Sequence, residues 1–213
     1  MTEDDDPLPE SIPVFPLTGA LVFPRGTLPL HIFEPRYRAM IRDALGGHRL
    51  IGMAQPRADG ERPPLYDIGG LGRISQFSET PDGRFLISLT GICRFRIRTE
   101  LTVATPYRQV AVDYDEFLSD ALEPPALAPA VRAAMESELK DYLDAKNLSA
   151  DWAAVIDADD EGLINTLSCV CPFSAVEKQA LLEAATLAER ADALLAFMRF
   201  DRAADDDSET RLQ

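Results

Sequence analysis

Residues 12–45 read IPVFPLTGALVFPRGTLPLHIFEPRYRAMIRDAL, dense in proline, phenylalanine and leucine and poor in charge until the last third. Phe15-Pro16-Leu17, Phe23-Pro24 and Leu28-Pro29-Leu30 set prolines beside large apolar side chains. Proline gives no N–H to a ladder and fixes its own φ, so this stretch is not expected to form a central strand. It reads as short extended pieces broken by corners, with Gly19 and Gly26 placed for the positive φ that tight corners use. Glu34-Pro35 then opens a helix, because proline suits the first helical turn. Tyr37, Met40, Ile41, Ala44 and Leu45 fall at helical spacing, and Gly46-Gly47 is the expected stop.

Downstream of that helix the chain reads as strands. Residues 49–54 are a short apolar strand, 56–64 a polar loop, and 65–78 an extended segment whose glycines suggest bulges. Thr80-Pro81-Asp82-Gly83 is a turn signal joining 71–78 to 84–89 as a hairpin. Residues 92–99 form a further strand with Cys93, Phe95 and Ile97 on one face and Arg94, Arg96 and Arg98 on the other. Residues 107–113 close the series. Several short, alternating, bent strands in succession predict a small closed or nearly closed barrel.

The composition changes across residues 116–129, from β-formers through an acidic and proline-rich link to alanine and leucine. Helices are expected at 131–146, 161–171, 175–185 and 187–200, with a polar stretch at 148–160 carrying Trp152. Ser174/Glu177 and Thr186/Glu189 fit the capping box. The expected organisation is a disordered acidic N-terminus (1–10), a β-barrel subdomain (11–118), a linker (119–130), a helical subdomain (131–202) and a disordered acidic tail (203–213). The fold class is α+β, a small barrel followed by a helical bundle.

Charge is partitioned along the chain. Of 36 acidic and 21 basic residues, 13 and 13 lie in 1–112, which leaves 23 and 8 in 113–213, so the whole formal charge of −15 sits in the second part. The 13 basic residues of the first part are all arginines. An acidic half keeps a protein soluble and repels nucleic-acid phosphates and anionic membranes, so neither partner is expected. No apolar run approaches the roughly 20 residues of a membrane span, and MTEDDDPLPE lacks the basic and apolar regions of a signal peptide. Three cysteines do not suggest a disulfide framework, and a cytoplasmic location is the simplest expectation.

FPL, LVFP-x-G and LPLHIFEPRYRAMI, in that order and spacing, closely resemble the opening of the Lon N-terminal (substrate-binding) domain family. The likeness continues through Ile51-Gly52, the run from Ile68 to Ile74 (IGGLGRI), Pro81-Asp82-Gly83-Arg84, the run from Thr90 to Phe95 (TGICRF) and the run from Glu177 to Glu183 (EKQALLE), covering roughly 11–202. The resemblance implies a PUA-like barrel and a stand-alone substrate-binding module without ATPase or protease domains. It also implies a link to protein quality control and proteolysis, with client polypeptides and a full-length Lon protease as candidate partners.

The residues themselves offer no catalytic constellation. A P-loop needs a Gly-Lys pair, and none occurs; Lys140, Lys146 and Lys178 are the only lysines. No G-x-S-x-G elbow accompanies His31 or His48, so no catalytic residue is assigned and no cofactor is expected. Cys169-x-Cys171 lacks the further ligands a structural zinc needs, so no metal site is assigned and the thiols read as small buried apolar groups. Two features remain as binding candidates. Phe15, Phe23, Pro24 and Phe33 at corners either fill the barrel ends or offer an apolar surface for unfolded segments or a partner protein. Arg94, Arg96 and Arg98 are either solvated or internally paired, or they contact an anion, which makes RNA binding by a PUA-like module the alternative function.

Overall fold

The computed structural model describes residues 7–210, with side chains through residue 203. The chain divides into two compact units, Met1–Leu122 and Glu123–Gln213.

The first unit holds strands β1 (Ser11–Pro16), β2 (Thr27–Ile32), β3 (Leu50–Ala54), β4 (Ile68–Glu79), β5 (Phe85–Glu100) and β6 (Arg108–Asp113), with helix α1 (Pro35–Leu45) after β2. They form one mixed sheet in the order β2-β5-β4-β3-β1-β6, and β6 also returns to pair with β5. Only β1 and β3 run parallel.

Contrary to the sequence expectation, β1 lies between two neighbours although it carries Pro13 and Pro16. The two ladders are staggered: β6 pairs with Ser11 to Val14 and β3 with Val14 to Pro16. They overlap only at Val14, so each proline borders a partner on one side, and its missing N–H costs no second ladder bond. The expected strands 84–89 and 92–99 are one continuous strand, β5. Register shifts at Leu71/Gly72 and Ile74/Gln76 on β4 let this pair bend where the sequence suggests a break. The hairpin turn forms as read: Gly83 takes φ +76 and donates to Thr80 O at 2.8 Å. In the opening stretch Gly19 has positive φ, whereas the second left-handed corner residue is Arg25 and not Gly26.

Helix α1 starts on Pro35 and turns Tyr37, Met40, Ile41 and Ala44 onto Ile32, Phe85, Ile87 and Leu89 of the sheet. A second cluster gathers Ile12, Val14, Leu71, Phe95 and Val110. Each such fully buried side chain contributes about 1.5–3 kcal/mol.

The second unit holds α2 (Pro129–Ala145), α3 (Trp152–Asp157), α4 (Asp160–Val170), α5 (Ala175–Glu183) and α6 (Leu187–Thr210). The stretch read as polar and irregular contains α3, because Asp151 caps it by accepting from Ala153 N and Ala154 N. Asp159 caps α4 in the same way through Gly162 N. Ser174 and Glu177 complete a reciprocal capping box. At α6 only half of that motif forms: Thr186 Oγ1 accepts from Glu189 N, while the Glu189 carboxylate reaches Ala185 N instead. Helix α6 continues to Thr210, past the expected end at Phe200 and into the segment expected to be disordered. Buried Glu138 on α2 accepts from both Arg199 and Arg202, and Tyr142 donates to Asp201, which ties this extension to α2. Residues 1–6 and 211–213 of the expected disordered ends lie outside the described residues. Among the described residues no helix is long and apolar enough to cross a membrane.

Candidate functional site

Three of the four apolar residues singled out in the opening stretch are core. Phe15 is buried against Tyr37, with ring centroids 4.2 Å apart; Phe23 is 1% exposed, and Pro24 is buried. The corner at Val22-Phe23 sinks onto the sheet because Gly70 and Gly91 have no side chains there. A Cβ on Gly70 would lie 2.0 Å from the Val22 carbonyl oxygen, and one on Gly91 would lie 1.8 Å from that of Phe23. Only Phe33, 59% exposed, remains at the surface.

The arginine face is committed to carboxylates at the end of the same unit. Arg94 is 3% exposed and donates through Nε and Nη2 to Asp120 at 2.9 and 2.8 Å, while its backbone N–H reaches Asp120 Oδ2 at 2.8 Å. Arg25 Nη1 donates to the Asp120 carbonyl at 2.6 Å. Arg96 holds Glu116 bidentately at 2.5 and 2.7 Å, and Arg98 pairs with Asp113. Hydrogen bonding from Arg96 lowers the Glu116 carboxyl below its ordinary pKa. Asp120 and Phe117 are buried in this unit, although residues 119–130 were expected to be linker. The signal was present in the sequence as carboxylates at 113, 116 and 120, but their match to 98, 96 and 94 depends on the chain doubling back.

The apolar surface lies elsewhere, on β2, β5 and β4. An open groove of about 490 Å³ is lined by Pro29 and His31 of β2, Leu86 and Ser88 of β5, and Phe77 and Ser78 of β4, among others. Leu86 is 49% exposed on this face, whereas Phe77, 52% exposed, pairs with buried Ile87 and so stands on the opposite face of its strand. Register accounts for the arrangement: Leu86 stands between His31 and Ser78, and Ser88 between Pro29 and Gln76. The His31 ring meets Phe33 edge-on at 6.0 Å, which brings Phe33 to the same surface. No carboxylate lines the groove. Among the described residues His31 has no hydrogen bond to Ser78, Ser88 or an acid, so nothing there forms a nucleophile–base pair. The sequence reading missed Phe77 and Leu86. Leu86 could have been found as an apolar residue at an outward position of an alternating strand, between Phe85 and Ile87.

In the second unit burial raises the Cys169 and Cys171 thiols to about 11, which leaves them protonated and poor ligands at neutral pH.

A mixed six-stranded sheet and an α-helical second unit define an α+β protein. The family model of the ATP-dependent protease La (LON) substrate-binding domain matches residues 11–199, and the chain belongs to this family. It is 27% identical over 200 residues to Lon protease 2 of Sorangium cellulosum, covering 89% of this chain and 24% of that protein. To Lon protease 2 of Myxococcus xanthus it is 32% identical over 126 residues, covering 56% of this chain and 15% of that protein. It thus spans at most about a quarter of these relatives. The fold is shared with a Lon N-terminal domain protein from Xanthomonas campestris (TM-score 0.64, 22% identity, 88% of this chain and 98% of that one). It is shared also with the N-terminal domain of the Mycobacterium avium complex Lon protease (TM-score 0.61, 19% identity, 89% and 98%).

Proposed function

We propose that this chain is a non-catalytic recognition module that holds exposed apolar segments of unfolded or client proteins on the β2–β5–β4 groove. The return of β6 to β5 is read as closing a small PUA-like barrel, whose flank carries that groove. The observation that carries the reading is half-exposed Leu86 beside exposed Phe33 and His31 on one face of the sheet, with no carboxylate lining the groove. Contiguous exposed apolar area on a protein with a formal charge of −15 marks an interaction site more than a packing residue. Affinity is expected in the micromolar range, on the order of 10⁻⁶–10⁻⁴ M, because ordering a flexible client opposes binding. The clients are cytoplasmic polypeptides destined for proteolysis, with a full-length Lon protease as the downstream partner.

The test is titration of a labelled, permanently unfolded protein against wild type, Leu86→Ser and Phe33→Ser, with circular dichroism confirming that each variant is folded. Loss of binding in folded variants is the expected result. Undiminished binding removes the groove as the site.

A further inference from the structure

We propose that helix α3 is a second docking surface, separate from the groove, and that its occupant is a polypeptide segment combining lysine or arginine with apolar side chains. This inference stands whether or not the groove holds clients.

Helix α3 is held by its backbone. None of its side chains is buried, although its sequence is WAAVID. At its start Asp151 accepts from Ala153 N and Ala154 N. At its end Arg132 of α2 donates to the Val155 and Ala158 carbonyls at 2.7 and 3.0 Å. The same guanidinium donates to Asp160 at 3.1 Å, which fixes its position. A helix anchored through its peptide groups needs no large side chain for stability. Trp152 and Ile156 nevertheless stand one turn apart, 37% and 67% exposed. Side chains four residues apart share a face of a helix, so the two form one apolar ridge. An exposed apolar ridge that supports no core marks contact with another molecule.

Charge selects the occupant. Residues 147–177 contain no lysine, arginine or histidine, and their six acidic residues are Asp151, Asp157, Asp159, Asp160, Glu161 and Glu177. Asp160 is paired with Arg132. The Asp157 carboxylate, next to Ile156, is exposed and pairs with no cation among the described residues. Asp151, next to Trp152, is also exposed while it caps the helix. A ridge bracketed by carboxylates repels nucleic acid and anionic lipid. It equally disfavours a second copy of a chain with formal charge −15. It attracts lysine and arginine, whose apolar stems lie along apolar surface and whose charges favour the face of an indole ring. A basic segment with apolar side chains therefore complements the ridge, the indole and the carboxylates together.

The experiment uses the full chain and three tryptophan-free peptides: a Lys/Leu amphipathic helix, the same peptide with Ser for every Leu, and the same with Glu for every Lys. Binding is read by anisotropy of fluorescein-labelled peptide. Burial of the ridge is read with unlabelled peptide from the emission of Trp152, the only tryptophan in the chain. The Lys/Leu peptide is expected to bind about ten-fold or more tighter than the other two, and it alone to shift the emission to the blue. Ile156→Ser is expected to weaken it by about ten-fold. Asp157→Asn is expected to weaken it by about three-fold and to reduce its dependence on salt. Leu86→Ser in the groove is expected to leave it unchanged. Circular dichroism confirms that each variant is folded. Equal binding of the Lys/Ser peptide is charge attraction alone and overturns the proposal. Wild-type affinity in folded Ile156→Ser, or no binding of the Lys/Leu peptide at about 100 micromolar, overturns it as well. An unchanged salt dependence in Asp157→Asn overturns the role of charge in choosing the occupant. Loss of binding in Leu86→Ser moves the peptide to the groove and overturns α3 as the surface. A concentration-dependent dimer that shifts Trp152 emission without peptide assigns the ridge to a second copy and overturns the proposal.

Discussion

Arg94 and Asp120 form a buried ion pair joined by two parallel hydrogen bonds, with 4% and 8% of their side chains exposed. The Phe117 ring lies 4.9 Å from the Arg94 guanidinium, so the pair is closed by an aromatic face. This contact fastens residues 115–121 to β5 and places the Arg94 charge out of reach of an external anion. Removing one partner leaves the other charged and buried. Asp120→Ala is therefore expected to cost about 3–5 kcal/mol, and replacing both partners with apolar residues less than that. Urea denaturation of the single and double variants, followed by far-UV circular dichroism, measures it; an Asp120→Ala midpoint equal to wild type contradicts the burial argument.

Gly91→Ala is expected to prevent the first unit from folding or to destabilise it by more than about 3 kcal/mol. The added Cβ would meet the backbone oxygen of Phe23 at 1.8 Å, and backbone cannot rotate aside as a side chain does. Gly46→Ala is the control, because its Cβ would lie 3.5 Å from the nearest atom and its φ of −80 suits alanine. That variant should stay within about 0.5 kcal/mol of wild type. Soluble yield and thermal midpoint separate the two outcomes.

The phenylalanines of the opening stretch should divide by burial. Phe23→Ala is expected to cost about 3–5 kcal/mol, since it empties a fully buried site. Phe33→Ser and Leu86→Ser should each change stability by less than about 1 kcal/mol, because both side chains are about half exposed. Denaturation midpoints of the three variants would refute the division if Phe33→Ser proved as damaging as Phe23→Ala.

Stability should fall between about pH 9 and pH 11. Burial raises the Cys93 thiol to about 12, with the Asp120 charge adding and the Arg94 charge opposing, and burial raises Cys169 and Cys171 to about 11. In the unfolded chain a thiol ionises near about 8.5. Above that pH the unfolded state holds fewer protons than the folded state, so alkali draws the equilibrium toward unfolding. The contribution is complete below the unfolded pKa and is lost as pH rises toward the folded one. Denaturation midpoints at pH 7, 9 and 10 check the slope. Iodoacetamide labelling at pH 8 should be slow for all three thiols until denaturant is added.

Local pattern carried much of the fold. The helical spacing after Pro35, the Thr80–Gly83 turn and the Ser174/Glu177 capping box are short-range, and each forms where its residues require. The resemblance of the opening stretch located the family because its order and spacing are themselves sequence. What sequence could not supply was the distance between parts of the chain. Phe23 could be read as filling the barrel end or as a corner surface, and it is core because Gly70 and Gly91, far along the chain, leave room for the backbone there. Arg94 could be read as solvated, internally paired or anion-binding, and it is internally paired and buried because Asp120 returns to cover it. Leu86 looked unremarkable and joined a surface when β2 placed His31 alongside it and Phe33 beside that ring. Burial and charge pairing depend on which segments meet, and strand pairing across the sheet decided that.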